Sequence, residues 1–408
     1  MKYVVVLSDG MAGYPLDVLG GKTTMEAART PMMDELAKDS EIGMVSMVPD
    51  GMAPGSDTAN LAVMGYDPKQ YYTGRSPLEA LSIGVEMEDT DVSFRCNLVT
   101  LTEEEGDYED RTILDHSSDE ISTEEAAALL KALEDGLAQM GLLKDSDAFY
   151  VGTSYRHLLV QKHGEVTELT PPHDILEKVI GSYLPEDRRL LEMMKASYEI
   201  INHHPVNEAR RAKGLRPANS AWFWGAGKKP SLTSFEERTG KKGVMISAVD
   251  LLKGIAVGAG LKPILVEGAN GGLHTNYEGK AEAAVDALTK SGYDFAYIHV
   301  EAPDEMGHQG SMKDKITAIE QIDQKVVRTV VEGLRNEEED FRILILPDHP
   351  TPIEMRTHTG DAVPYLLYDS RIKRNGEEAY NEKTAKNTKR EWQDGYKLMG
   401  HFLQEELC

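Results

Sequence analysis

The chain has 408 residues, of which 40% are hydrophobic and 28% charged, the composition of a folded globular protein of two or three domains rather than a disordered one. A net charge of -25 argues against nucleic acid as a partner but leaves room for a small anion, because a metal or local arginines can reverse the field in a cleft. Two cysteines, Cys96 and Cys408, exclude a disulfide framework and fit a reducing cytoplasm, and no apolar run has the length of a signal peptide or a membrane span.

Residues 3–7 form a continuous β-rich apolar run, the pattern of a central strand covered on both faces, and the run ends at Ser8-Asp9-Gly10. In open α/β sheets functional groups gather beyond the carboxyl ends of strands, which places Asp9 well for a site, although a turn Asp before Gly accounts for this segment taken alone. Thr30-Pro31 opens a helix with Thr30 as its N-cap. In Pro54-Gly55-Ser56-Asp57-Thr58-Ala59-Asn60, Ser56 stands at the start of a helix, where free N–H groups and the dipole favour an anion such as phosphate. On this segment alone Ser56 is either only an N-cap or part of an anion site at the helix start. Ser76-Pro77 opens another helix that stops at Gly84.

From about Glu88 the texture changes to acidic turns and strands alternating with helices. Strands are expected at 92–101, 148–151, 157–161 and 220–224, and helices at 122–140 and 186–202, with Ser122 and Glu125 spaced as a capping box. This region, 89–239, reads as an inserted α+β domain with several candidate anion binders: Arg95, Arg156, His157, Arg210, Arg216 and Asn219. Arginine matches carboxylate and phosphate geometry in bidentate fashion, and each of these arginines could equally serve a surface salt bridge.

After Gly240 strands and helices alternate again, with strands at 244–247, 263–266, 295–300, 342–346 and 363–368 and a long helix over 312–334, the rhythm of a parallel sheet. Segments 1–88 and 240–408 thus form one discontinuous α/β domain. The strand at 295–300 leads to Asp304 and His308, four residues apart on one side of a helical turn. The strand at 342–346 leads to Asp348-His349, and His358 follows nine residues later. Carboxylate oxygen and imidazole nitrogen together suit a borderline metal such as zinc or manganese. Asp9, Asp304, His308, Asp348, His349 and His358 all follow predicted strands of one architecture, enough donors for two linked metal sites with Ser56 nearby.

The motifs Ser8-Asp9-Gly10-Met11, Pro54 to Asn60, Asp304-Glu305-Met306-Gly307-His308, Asp348-His349-Pro350-Thr351-Pro352 and Thr357-His358-Thr359 carry a resemblance to a known family. The chain resembles, nearly end to end, the archaeal-type cofactor-independent phosphoglycerate mutases of the alkaline phosphatase superfamily. The resemblance implies an alkaline-phosphatase-like parallel-sheet metal domain with an inserted substrate-binding or lid domain. It implies two divalent ions, manganese or zinc with magnesium or cobalt as further options. One would be held by Asp304, His308 and His358, and the other by Asp9, Asp348, His349 and the Ser56 oxygen. Ser56 would carry phosphate between the two hydroxyls of glycerate, and closure of the inserted domain would keep water out.

The sequence departs from the family pattern on the substrate side. The family carries an Asp-Arg pair where this chain has Asp115-His116, and an arginine in the segment that here reads Ala218-Asn219-Ser220-Ala221-Trp222-Phe223-Trp224-Gly225, where this chain has Trp224 instead. Asp115 therefore joins the candidate substrate residues. The departures resemble a related branch proposed to act as homoserine kinases, which gives a second functional reading. A metal-binding protein without catalysis is a third.

Overall fold

The computed structural model describes residues 1–104 and 106–404; Cys408 lies outside them. The chain divides into two compact units, Met1–Tyr72 with Ser231–Cys408, and Thr73–Pro230.

Among the described residues, the first unit is built on an eight-stranded sheet. Its strand order is Glu391–Trp392, Ser40–Val45, Val363–Asp369, Phe341–Leu346, Lys2–Ser8, Phe295–Val300, Gly243–Ile246, Lys262–Ile264. Val4, Val5, Val6, Ile343 and Ile345 are wholly buried, as a run without polar alternation requires when helices cover both faces. Each such side chain contributes ~1.5–3 kcal/mol by leaving water. The three central strands are parallel, with Leu7 opposite both His299 and Leu346 and Ser8 opposite Val300. Their carboxyl ends therefore emerge together, and the turns after Ser8, Val300 and Leu346 share one sheet edge.

Val363–Asp369 runs antiparallel to both of its neighbours, so the sheet is parallel with one reversed strand rather than parallel throughout. The strand Ser40–Val45 has no apolar or alternating signature, yet it is buried. Gly43 lets Tyr365 approach to where a Cβ would lie 2.9 Å from the ring. The long helix expected over 312–334 is interrupted by a π-helical turn, Ile322–Val327. That turn aims the buried Asp323 carboxylate at the Met32 and Met33 N–H groups, at 3.2 and 2.7 Å. Asp323 thereby caps the helix Pro31–Ala37, and Thr30, expected to do so, makes no side-chain cap bond.

Among the described residues, the second unit holds a five-stranded antiparallel sheet of Ile113–Asp115, Val92–Leu101, Arg156–Gln161, Ala148–Thr153 and Ser220–Lys228. Leu159 turns to the layer of the helices Thr123–Gln139 and Arg188–Ile201. Its neighbours Leu158 and Val160 turn to the opposite layer, with Ala80, Val85 and Met87. Residues 73–88 thus supply the second cover of this sheet, which is why this unit begins at Thr73 and not at the change of texture at residue 88. At the other end Phe235 stacks on Phe295, 4.6 Å between ring centroids, which assigns 231–239 to the first unit. Ser122 caps the Glu125 N–H, but the Glu125 carboxylate is taken by Arg210 and does not reach back as a capping box would.

Candidate active site

Asp9 leaves the central strand and Gly10 turns the chain at φ +61°. The Gly10 N–H donates to Asp348 Oδ1 at 3.1 Å, tying the first turn to the loop after Phe341–Leu346. The His349 N–H donates to the same oxygen at 3.0 Å. Ser56 opens the helix Ser56–Val63 as its first residue, with Gly55 as the cap. Its hydroxyl donates to Asp9 Oδ2 at 3.4 Å and lies 3.2 Å from His349 Nε2. One turn on, Asn60 Nδ2 donates to the Ser56 carbonyl at 2.8 Å and to Asp348 Oδ2 at 2.9 Å, while its Oδ1 accepts from Tyr297 Oη at 2.6 Å.

Asp304 and His308 lie on the short helix Ala302–His308, and the loop at His358 folds back against it. His308 Nε2 is 3.2 Å from Asp304 Oδ2, His358 Nε2 is 3.3 Å from Asp304 Oδ1, and the two Nε2 atoms are 2.9 Å apart. Thr351 Oγ1 donates to Asp304 Oδ1 at 2.5 Å. Two sets of ligand atoms each fall within 4.8 Å of one another: Asp304, His308 and His358, and Asp9, Asp304 and His349. Asp304 belongs to both sets, whereas the sequence resemblance assigns it to the first alone. Asp348 is placed more as a brace, with Oδ1 accepting two backbone N–H groups and Oδ2 accepting Asn60.

The donor set is short of positive charge. Burial, then the charges of Asp348, Asp304 and Glu301, hold the Asp9 carboxyl well above its usual range. Burial would also raise Asp304, but hydrogen bonds with His308 and His358 outweigh it and hold that carboxyl well below the usual range. The same contact raises His308 to about 9. Burial lowers His349, and it pushes His299 down to about 3. His308 Nδ1 faces the Arg356 carbonyl at 3.0 Å, which can only accept, so once a cation displaces the Nε2 proton the ring would turn an Nε2 lone pair toward Asp304 and His358. Asp9 Oδ1 is buried without a hydrogen-bond partner. Lone pairs converging on carboxylates, with a buried oxygen left over, fit a divalent cation at each set.

Asn60, Thr351, His299 and Tyr297 escape sequence reading. Asn60 carries a usable signal, its four-residue spacing from Ser56 on one helix face. Thr351 lies inside a motif already singled out. His299 and Tyr297 are hidden in an unbroken buried strand.

The candidate substrate residues of the second unit fall into two groups. Arg156 is exposed, its guanidinium 5.5 Å from the Tyr155 ring centroid. Arg95 is buried, paired with Glu79 at 2.9 Å and 4.2 Å from the Trp224 ring centroid; burial lowers it to about 10. The others are committed to the fold. Arg210, only 2% exposed, pairs with Glu125 at 2.6 Å and donates to the Arg216 and Ser118 carbonyls at 2.9 and 2.6 Å. Asn219 clamps both backbone groups of Leu101, at 2.8 and 3.0 Å. His157 is buried, accepts from the Gly152 N–H at 3.2 Å, and is held neutral by burial at about 4. Asp115 accepts the Ser117 and Asp119 N–H groups and pairs with Arg216 at 3.3 Å. These contacts give Arg210, Asn219, His157, Asp115 and Arg216 partners within the fold.

A family model described as 2,3-bisphosphoglycerate-independent phosphoglycerate mutase matches residues 37–207. The chain is 47% identical over 392 residues, 95% of each chain, to a Methanosarcina barkeri protein named 2,3-bisphosphoglycerate-independent phosphoglycerate mutase. Among solved structures it is similar to a Pyrococcus horikoshii protein, PH0037, with a TM-score of 0.80, 27% identity and coverage of 100% of this chain and 98% of that one. It is similar also to a cofactor-independent phosphoglycerate mutase from Thermoplasma acidophilum, with a TM-score of 0.63, 25% identity and 99% of both chains covered. At that level of identity over nearly its whole length, the chain belongs to the 2,3-bisphosphoglycerate-independent phosphoglycerate mutase family.

Proposed function

We propose that this protein interconverts 2- and 3-phosphoglycerate through a phosphoserine at Ser56. The observation that carries the reading is the Ser56 hydroxyl, at the first residue of a helix and within reach of Asp9 and His349, in a chain of this family. Ser56 Oγ attacks phosphorus as its proton passes to the departing glycerate oxygen, the bond from phosphorus to that oxygen breaks, and the positive end of the helix Ser56–Val63 faces the transferring charge. The glycerate turns, its other hydroxyl attacks, and the phosphorus–Ser56 Oγ bond breaks. Asn60 keeps Ser56 and Asp348 in register through both transfers. Divalent ions, manganese or zinc by the chemistry of the donors, would neutralise phosphoryl charge and lower the serine pKa, held by Asp304, His308 and His358 and by Asp9, Asp348, His349 and Ser56. Asp348 Oδ2 keeps a lone pair for this role beside its bond to Asn60. Arg156 and Arg95 are the substrate-side arginines that this reading retains.

The test is a side-by-side assay of 3-phosphoglycerate conversion and of homoserine phosphorylation with ATP as donor, on the native chain and on Ser56→Ala. Mutase turnover lost in Ser56→Ala, with an unchanged unfolding curve, is the expected result. Turnover surviving in Ser56→Ala removes the phosphoserine route, and homoserine phosphorylation alone replaces the mutase reading by the kinase one.

A further inference from the structure

His299 sits near the carboxyl end of the buried strand Phe295–Val300, opposite Leu7 and itself fully buried. A leucine would fill such a position without the cost of burying a polar ring. Among the described residues, Ser247 and Asp9 are within hydrogen-bond distance of the imidazole. Its Nδ1 lies 3.1 Å from Ser247 Oγ, and its Nε2 lies 2.9 Å from Asp9 Oδ2. The order of donors along this chain follows from its two ends. The Val249 N–H donates to Ser247 Oγ at 3.0 Å, which leaves the serine proton for His299 Nδ1. With a cation at Oδ1 the Asp9 carboxyl would be ionised and could only accept, so Nε2 would carry the one N–H of the neutral ring. The Lys280 ammonium, itself buried, holds the His299 carbonyl at 3.1 Å and fixes the backbone beneath the ring.

The result at Asp9 is asymmetric. Oδ2 receives His299 and the Ser56 hydroxyl, whereas Oδ1 has no hydrogen-bond partner and lies 3.6 Å from His349 Nε2. We propose that His299 is a positioning residue which, through the relay from Ser247, fixes the Asp9 carboxylate so that Oδ1 is presented to the divalent cation shared with His349. This rests on the metal reading above and adds a selectivity to it. The Asp9 set is governed by His299, and the set formed by Asp304, His308 and His358 is not.

The test uses chelator-stripped full-length protein titrated with manganese chloride, free Mn2+ being read by electron paramagnetic resonance. Three variants are compared: His299→Leu, which removes the donor; His299→Gln, which restores an N–H near the Nε2 position; and Ser247→Ala, which leaves the ring but frees its tautomer. The native chain should bind about two ions. In His299→Leu one of the two affinities should fall ~10–100-fold while the other is kept, the usual loss for a group that orients a ligand. His299→Gln should recover most of that loss, and Ser247→Ala should weaken the same ion by a smaller factor. Folded His299→Leu and Ser247→Ala proteins that both bind manganese as the native chain does would overturn the proposal. So would a His299→Gln protein as impaired as His299→Leu, since ring packing alone would then explain the effect. Where His299→Leu does not fold, Ser247→Ala and His299→Gln decide. A native chain that binds no manganese removes the metal reading itself, an outcome distinct from two ions bound regardless of His299.

Discussion

Asn60 Nδ2 donates to Asp348 Oδ2 at 2.9 Å, and this bond joins the helix that carries Ser56 to the loop that carries His349. The same amide nitrogen reaches the Ser56 carbonyl at 2.8 Å, and the amide oxygen accepts from the buried Tyr297 hydroxyl at 2.6 Å. One side chain thus sets the distance between the proposed nucleophile and its neighbours. Asn60→Ala should lower kcat ~10–100-fold, the scale seen when a group orienting a metal ligand is lost. It should also destabilise the fold by ~1–3 kcal/mol, because the Tyr297 hydroxyl is left buried without its acceptor. Steady-state kinetics together with thermal unfolding check both; unchanged kcat would show that Ser56 is positioned without Asn60.

Arg156 and Arg210 should part company when mutated. Arg210 is buried, bonded to Glu125, Ser118 and Arg216, and holds a turn in which Ser118, Asp119 and Glu120 have φ of 51°, 52° and 49°. Non-glycine residues take such angles only when neighbours compel them. Glu125 is 28% exposed, which softens the pair. Arg210→Ala should therefore cost about 2–3 kcal/mol of stability. Arg156→Ala should leave unfolding within about 0.5 kcal/mol of the native value. If Arg156 meets the substrate anion, its loss should raise KM for phosphoglycerate ~10-fold, the weight of one charge-assisted contact. A KM that stays put would return Arg156 to the solvated surface.

These two arginines also mark what could be read from sequence and what could not. Asp9, Ser56, Asp304, His308, Asp348, His349 and His358 converge because each follows a strand end or opens a helix of one sheet, a placement visible in the order of elements. Arg210 and Asn219 look like binders because they are polar and cluster before an aromatic strand, and Arg156 because it stands at the start of a strand. Only the three-dimensional contacts show that Glu125 and Leu101 already occupy them. His299 shows the reverse case. A buried strand has no alternation to expose a polar member, so the residue behind Asp9 stays hidden until Leu7 and His299 are seen side by side. The reversal of Val363–Asp369 is likewise invisible, because the loop between it and Phe341–Leu346 permits either direction.

Acid should loosen the first unit partly through Glu41. Burial alone would raise its carboxyl, but hydrogen bonds from His401 at 3.1 Å and Tyr365 at 2.9 Å outweigh burial and bring it from 4.5 down to about 2. A folded value below the unfolded one stabilises the fold above about pH 4.5, and that contribution is lost as pH falls from 4.5 toward 2. At neutral pH it is worth about 3 kcal/mol at most. Thermal unfolding of Glu41→Gln should start from a lower midpoint at neutral pH and fall less steeply below about pH 5. Parallel acid limbs for the two proteins would remove Glu41 from the account.

Gly10 offers the sharpest separation of site from fold. Its φ of +61° already disfavours any side chain, at about 1–2 kcal/mol. A Cβ at this position would lie 2.5 Å from Thr351 Oγ1, 2.6 Å from Asp304 Oδ1 and 2.7 Å from Asp304 Cα. Real Cβ contacts are never that short, and two of these atoms are the partners in the bond that holds Asp304 in place. Asp304 is also the carboxylate shared by both donor sets, so a single methyl group presses on the junction of the two. The three atoms nearest the added Cβ belong to Thr351 and Asp304, not to the buried strand from Val4 to Leu7. Gly10→Ala should therefore keep the fold, with unfolding about 2–4 kcal/mol easier from strain and overpacking. Its kcat should fall by at least ~100-fold, because a displacement near 1 Å at the reacting centre is enough for a loss of that order. Circular dichroism of the purified variant, its unfolding midpoint and its turnover of 3-phosphoglycerate check the pair of claims. A well-folded Gly10→Ala enzyme with near-native kcat would mean that Asp304 can shift without disturbing phosphoryl transfer, and that the junction is softer than its packing implies.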